Sequence, residues 1–235
     1  MSRLRGLLFD LDGVLIDSLP SITACMNHAL AQLGRPPLDP ALIRPLIGPP
    51  LEDSAALLLG TSEPAQVAAF VAVYRERYAA TCVAETLPAA GLREILKELS
   101  QRWPLALATS KPEVFARLLL DSFEVGACFQ RGGIYGRSLA LDNEDKAAVI
   151  ARALVMLGGA DGLVMIGDRK HDVIGAAAHG IPTIGMLHGM GSREELEQAG
   201  ARWICDDLWG LPALLERIDG DDEGDEGDEG DEDLT

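Results

Sequence analysis

The chain has 235 residues and a formal net charge of −17, and 48% of its residues are hydrophobic. That length holds one large domain, or a core with one insertion, and it suffices to bury a sizeable core. Eleven acidic residues and no basic ones lie between Asp219 and Asp233, which leaves −6 for the rest of the chain; an acidic body excludes the Lys/Arg-rich face that a nucleic acid requires, but not the few local cations that hold a small phosphorylated molecule.

Four cysteines, Cys25, Cys82, Cys128 and Cys205, lie far apart and form no CxxC pair, so they are expected to be reduced thiols of a cytoplasmic protein. Arg3 and Arg5 precede an apolar run, but Asp10, Asp12 and Asp17 interrupt it, and it fails as a signal segment. No window offers 18 uninterrupted apolar residues, so no membrane partner is expected.

In chain order, Gly6 to Phe9 reads as a short buried strand ending at Asp10. A helix follows from Ser18 or Pro20 to about Leu33, stopped by Gly34-Arg35-Pro36-Pro37. Helical patterns then cover Asp39 to Leu46, Leu51 to Leu59, and Pro64 to Ala80. After Pro88 the pattern alternates: helix 91–101, strand 104–108, helix 112–120, a short strand within Cys128 to Ile134, helix 146–157, strand 162–166, helix 172–179, strand 182–186, helix 193–199, strand 203–205 and helix 211–218. Short apolar strands alternating with helices predict an α/β fold, a Rossmann-like doubly wound parallel sheet with an inserted all-helical cap. The expected division is a core of residues 1–16 and 87–218, a cap of residues 17–86 and an acidic tail of residues 219–235. The tail repeats Gly-Asp-Glu and has almost nothing apolar to bury, so it is expected to be disordered.

Reactive side chains gather where the strands are predicted to end: Asp10 with Asp12, Thr109 with Ser110, and Asp168. In open α/β sheets ligands bind beyond those carboxyl ends. Residues two apart on an extended chain point the same way, so Asp10 and Asp12 face one spot. Two carboxylates at close range ionise together only beside a cation, and an all-oxygen set suits Mg²⁺; an Asp-rich turn is the competing reading. Asp168 is a natural third oxygen ligand, and Asp172, one helical turn on, can support the site from behind. Thr109 and Ser110 precede a helix start, where a hydroxyl and unpaired backbone N–H groups suit phosphate oxygens. Lys146 stands in the first turn of a helix, against the macrodipole, so its place asks for a negative partner; Lys111 competes with it. His171 reads as a surface residue, with no nucleophile paired to it.

Phe9-Asp10-Leu11-Asp12-Gly13-Val14-Leu15-Ile16-Asp17-Ser18 resembles the first signature of the haloacid dehalogenase superfamily. Ala106-Leu107-Ala108-Thr109-Ser110-Lys111-Pro112 resembles the second, Lys146 fits the third, and Ile166-Gly167-Asp168-Arg169-Lys170-His171-Asp172 resembles the fourth. The likeness covers residues 3 to 218. Within the superfamily, the helical insertion together with Ile47-Gly48-Pro49-Pro50-Leu51, Tyr74-Arg75-Glu76-Arg77-Tyr78 and Gly185-Met186-Leu187-His188-Gly189-Met190-Gly191 is similar to phosphoglycolate phosphatase-like and 5′-nucleotidase-like members.

The resemblance implies a Mg²⁺-dependent phosphatase acting on a small phosphorylated metabolite. Asp10 would be the covalent nucleophile and Asp12 the general acid and base. It also implies a metal held by Asp10, the backbone carbonyl of Asp12, and Asp168, with Thr109, Ser110 and Lys146 on the phosphate. Arg44 and Gly48 lie where cap residues can face a substrate. Three alternatives stand beside it. A metal-free dehalogenase typically lacks the second aspartate, so Asp12 counts against it. A phosphomutase shares all four signatures. A non-catalytic protein acting through the acidic tail should have lost one of the groups, and none is lost.

Overall fold

A computed structural model describes residues 3–129, 131–138 and 144–220. The first strand, β1 (Gly6–Phe9), leads through Asp10–Leu15 to a two-residue strand, β2 (Ile16–Asp17). Four helices follow: α1 (Leu19–Gln32), α2 (Pro40–Ile43), α3 (Leu51–Leu59) and α4 (Pro64–Glu85). The chain then returns through β3 (Leu87–Pro88), which pairs antiparallel with β2. The remaining elements alternate: α5 (Leu92–Arg102), β4 (Leu105–Pro112), α6 (Glu113–Ser122), β5 (Ile134–Arg137), α7 (Lys146–Leu157), β6 (Leu163–Gly167), α8 (Lys170–Ala177), β7 (Thr183–Met186), α9 (Arg193–Ala199), β8 (Trp203–Cys205) and α10 (Leu211–Gly220).

Six strands make one parallel sheet in the order β5-β4-β1-β6-β7-β8. Strand β1 is central, and the chain winds outward from it first to one side and then to the other. Alternate side chains serve opposite faces, as the pleat requires. Leu7, Phe9, Leu105, Leu107, Val164 and Ile166 pack with α5, α6 and α10. Leu8, Ala106, Ala108, Leu163 and Met165 pack with α7 and α8. Both faces are buried, which explains the continuous apolar runs of the strands. The doubly wound parallel core is thus as expected. The four inserted helices close over a separate apolar cluster that includes Met26, Ile43, Phe70 and Tyr74. No single helix among the described residues is long and apolar enough to cross a membrane.

Several boundaries differ from the sequence reading. The strand expected within Cys128 to Ile134 begins at Ile134, registered on Leu107 of β4. Gly126–Phe129 forms a 3-10 turn instead, because Phe129 is used as a plug, edge-on to Phe9 with ring centroids 6.4 Å apart. Strand β4 runs to Pro112 rather than stopping at Ala108. The helix expected from Asp39 to Leu46 splits, since Pro45 has no N–H to donate, and Arg44–Leu46 tightens into a 3-10 turn. Helix α8 starts at Lys170, two residues before the expected Asp172. Asp219 and Gly220 complete α10, and the Leu4 N–H donates to Asp219 Oδ1 at 2.8 Å, so these two residues belong to the folded body rather than the tail. The rest of the expected tail, residues 221–235, lies outside the described residues.

Candidate active site

The site follows from the sheet's register. Phe9 pairs with Leu107 on one side and with Ile166 on the other. Asp10 therefore leaves β1 between the carboxyl ends of β4 and β6, beside Thr109 and Asp168, where open parallel sheets bind ligands. The connection after Asp10 is shaped by close packing. Gly13 has φ +84°, a conformation that disfavours side chains, and a Cβ there would collide with the Asp168 carboxylate. Gly189 approaches the same carboxylate as closely, with no room for a Cβ.

Lys146, at the start of α7, is buried and points under β1. Its Nζ lies 2.6 Å from Asp10 Oδ1 and 2.7 Å from Asp172 Oδ1, and it donates to the Ala108 carbonyl at 2.8 Å. This answers the sequence puzzle of a lysine at a helix N-terminus, since two carboxylates and a carbonyl outweigh the helix dipole. Burial alone would push the ammonium's pKa down, but Asp10 and Asp172 raise it well above the usual lysine value. Asp10 itself is raised to about 6, chiefly by burial, with Asp172 and Asp12 adding to the rise and Lys146 opposing it.

Asp168 is fully buried. Its Oδ2 accepts from the Met190 N–H at 2.6 Å, and its Oδ1 has no partner among the described residues. Burial raises its pKa well above the ordinary carboxylate value, and the charges of Asp172 and Asp10 push the same way. A buried carboxylate oxygen without a partner is costly, so it marks a place where a cation would be gained. One oxygen each from Asp10, Asp168 and Asp172 lie within 4.8 Å of one another. Asp172 already has both oxygens engaged, Oδ1 by Lys146 and Oδ2 by the N–H groups of Asp168 and Arg169, each at 3.1 Å. It is thus a support that fixes the loop and the lysine, whereas Asp10 and Asp168 keep lone pairs for a ligand. That set of hard oxygens fits a small divalent cation.

The Asp12 carboxylate stands apart from that trio. It meets Lys111, whose Nζ is 2.8 Å from Asp12 Oδ1. The two lysines that compete in the sequence are thus divided between the two aspartates, Lys146 to Asp10 and Lys111 to Asp12. Burial would lower the Lys111 pKa, but Asp12 and Tyr78 raise it well above the usual value. The Thr109 hydroxyl accepts from the Lys111 N–H at 3.2 Å, and Thr109 and Ser110 both face the cavity.

A cavity lies between this edge of the sheet and the inserted helices. The core lines it with Asp10, Asp12, Thr109, Lys146 and Asp168, and the helical block with Met26, Ile47, Leu51 and Tyr74. The two parts are tied across it. Arg169 Nη1 donates to the Ile47 carbonyl at 2.6 Å, while its Nε pairs with Glu195 at 2.8 Å. Arg44 Nη1 donates to the Gly189 carbonyl at 3.0 Å, so that side chain holds the seam rather than facing a ligand. Tyr78 stacks on Tyr74 and meets Phe115 of α6 edge-on at 5.1 Å. Gly48 lies against Arg169 and His171, and His171 lines the cavity instead of the outer surface. No residue near Arg169 marks it as a tie, because its partner Ile47 is 122 residues away.

The sequence profile described as haloacid dehalogenase-like hydrolase matches residues 7–186, a span that holds every aspartate and lysine of the constellation. A 5′-nucleotidase of Pseudomonas aeruginosa is 38% identical over 216 residues, covering 91% of this chain and 96% of that protein. A phosphoglycolate phosphatase of Pseudomonas putida is 31% identical over 221 residues, covering 88% of this chain and 78% of that one. Among solved structures, a predicted phosphatase from Clostridium acetobutylicum has a TM-score of 0.83 at 33% identity, covering 92% of this chain and 99% of its own. Protein Tyrosine Kinase A (PtkA) of Mycobacterium tuberculosis has a TM-score of 0.76 at 32% identity, covering 92% and 99%.

Proposed function

Because the chain belongs to the haloacid dehalogenase-like hydrolases and is a phosphoric monoester hydrolase of that family, we propose that it hydrolyses a small phosphorylated metabolite through an aspartyl-phosphate on Asp10, with Mg²⁺ as cofactor. The observation that carries the reading is the placement of Lys146 2.6 Å from Asp10 at the carboxyl edge of the sheet, with Asp168 beside them. An anionic nucleophile must approach an anionic phosphate, and a buried ammonium on that nucleophile lowers the repulsion.

Asp10 attacks phosphorus, and the bond from phosphorus to the ester oxygen breaks. Asp12 gives its proton to the leaving oxygen. Asp12 then takes a proton from water as that water attacks phosphorus, the bond from phosphorus to Asp10 breaks, and phosphate leaves. Lys111 holds the Asp12 carboxyl in position through this exchange. Thr109, Ser110 and the nearby N–H groups bind the remaining phosphoryl oxygens. Asp10, Asp168 and the Asp12 carbonyl would hold Mg²⁺, which when bound offsets negative charge on the phosphoryl oxygens. Asp172 orients Lys146 and the backbone of Asp168. Residues 17–86 act as a cap that shuts out bulk water and contacts the leaving group.

The test is phosphate release from 2-phosphoglycolate, nucleoside 5′-monophosphates and sugar phosphates, with Mg²⁺ and with EDTA. Release that is lost in EDTA, and shifted to much higher Mg²⁺ in Asp168→Ala, is the expected result. An unchanged Mg²⁺ titration in Asp168→Ala removes that residue from the metal site. The likeness to PtkA favours a second reading, in which the phosphoryl group ends on a protein tyrosine. Labelled phosphotyrosine on a peptide incubated with a γ-labelled nucleoside triphosphate would favour it over hydrolysis.

A further inference from the structure

The lining of the cavity is not confined to the residues that face a phosphoryl group: it also includes Met26, Leu51, Arg75 and Arg137. Its far end is therefore shaped for the rest of the substrate, and charge accounting says what that rest is. Among the described residues, five cationic side chains line the cavity: Lys111, Lys146, Arg169, Arg75 and Arg137. The first three each have a carboxylate of the core to themselves or more, namely Asp12, Asp10 with Asp172, and Glu195. Arg75 and Arg137 share a single one. Glu52 Oε1 meets Arg75 Nη2 at 2.7 Å, and Glu52 Oε2 meets Arg137 Nη1 at 3.3 Å.

Glu52 does not line the cavity, whereas both arginines do. It braces them from outside, and among the described residues one positive charge is left over on the cavity side. Burial alone would raise the Glu52 carboxyl's pKa, but its backbone hydrogen bond and the two guanidinium charges hold it below the usual value, so it stays ionised as a brace. Arg137 is the less satisfied of the pair. Only 14% of its side chain is exposed, its Nη1 bond to Glu52 is long, and its Nε is buried without a partner among the described residues. A guanidinium in that state favours a planar anion able to take several of its donors.

The two arginines also come from different parts of the fold. Arg75 lies in α4 of the helical block. Arg137 ends β5, where Gly136 is registered on Thr109 and Arg137 on Pro112, so it stands on the same carboxyl edge as the phosphate-facing residues. An anion between them would bind both halves of the molecule at once.

We propose that Arg75 and Arg137, braced by Glu52, form a second anion subsite, which makes the enzyme selective for phosphate monoesters whose leaving group carries a carboxylate or a second phosphate over esters with a neutral leaving group. This rests on the phosphatase reading for its kinetic arm only. The probes are 2-phosphoglycolate, ethylene glycol bisphosphate and, as the neutral case, 2-hydroxyethyl phosphate. In the wild-type protein kcat/KM is expected to be higher for one or both anionic esters than for the neutral one. Arg137→Met should cut that ratio at least tenfold, with the loss mainly in KM, and Arg75→Met should cut it severalfold; the ester that loses more shows whether a carboxylate or a phosphate is preferred.

Calorimetric Kd values for the same three esters, taken on Asp10→Asn with and without Arg137→Met, test the subsite where no turnover is involved. If wild type hydrolyses none of the esters, but Arg137→Met still weakens binding of an anionic ester selectively, the hydrolase reading fails and the subsite stands. If Arg137→Met weakens all three esters equally, or the neutral ester is preferred in both assays, the subsite is overturned.

Discussion

The floor and the roof of the cavity are built on opposite terms. The floor, at the sheet edge, is buried and charged, with nearly every ionised group answered by another: Lys146 by Asp10 and Asp172, Lys111 by Asp12, Asp172 by two backbone N–H groups. The roof is mainly apolar, with the more exposed Arg75–Glu52 pair at its rim. A dense, mutually braced floor is preorganised to act on any phosphoryl group, because its dipoles do not have to move during reaction. A roof joined to the core by a few hydrogen bonds and ring contacts can move, and it can change its lining without disturbing the chemistry below. The difference assigns reaction type to the paired groups of the floor, and substrate choice to the roof together with Arg137, which stands on the sheet edge but shares its only carboxylate among the described residues with Arg75 of the roof.

The sharpest way to break that division is Asp10→Asn. It should abolish turnover of every ester tested while far-UV circular dichroism and the thermal transition persist. Hydrolysis of p-nitrophenyl phosphate at a near wild-type rate would remove Asp10 as nucleophile. Lys146→Met comes next. It leaves Asp10 and Asp172 buried without their shared cation, and breaking a buried pair from one side costs about 3–5 kcal/mol. It should lower kcat by roughly 10²–10³-fold, the scale of losing one preorganised electrostatic group. A denaturant titration showing wild-type stability would mean that the floor is less interlocked than its geometry says.

A smaller effect is expected where the two parts meet. Arg169→Met removes the donor to the Ile47 carbonyl. A bond from a charged donor contributes about 1.5 kcal/mol or more, which is roughly tenfold in the population of the closed arrangement. KM should rise about that much, for anionic and neutral esters alike. A change confined to anionic esters would place Arg169 in substrate binding rather than in the seam.

The same contrast explains how much was legible from the residues alone. The floor is written in short local strings. Asp10 directly follows one buried strand and Asp168 follows another that ends in a glycine, so strand ends point to both; the two-residue spacing expected to aim Asp12 at the same spot does not hold, because β1 stops at Phe9 and the Asp12 carboxylate meets Lys111. What local reading cannot supply is pairing over distance. Lys146 is the stronger candidate in sequence and Lys111 its competitor, and the structure separates them because β4 and α7 deliver them to different aspartates. Asp172 could be foreseen as a support, but not that both its oxygens are used. The roof was legible as four helices and no further. Arg137 sits in a strand that begins only at Ile134, the last residue of the segment where a strand is expected, and nothing near it announces Glu52, 85 residues away. The two-residue strands β2 and β3 are too short to carry any alternation.

The smallest expected effect concerns the acidic C-terminus, which tests whether the division needs a third part. Residues 221–235 carry ten acidic side chains and no basic one, so their removal takes the formal charge from −17 to −7. Fewer negative charges should help an anionic ester approach, but the Debye length is about 8 Å at 0.15 M salt and about 30 Å at 0.01 M. Deleting residues 221–235 should therefore change kcat/KM by no more than roughly twofold at physiological salt, with a larger gain as salt is lowered. The cut must fall after Gly220. Removing Asp219 as well would strip the Leu4 N–H of its acceptor and cost about 1 kcal/mol of stability, an effect unrelated to charge. A large loss of activity on the shorter deletion, insensitive to salt, would show that the acidic segment contributes to the cavity itself, and the two-part account of floor and roof would have to be given up.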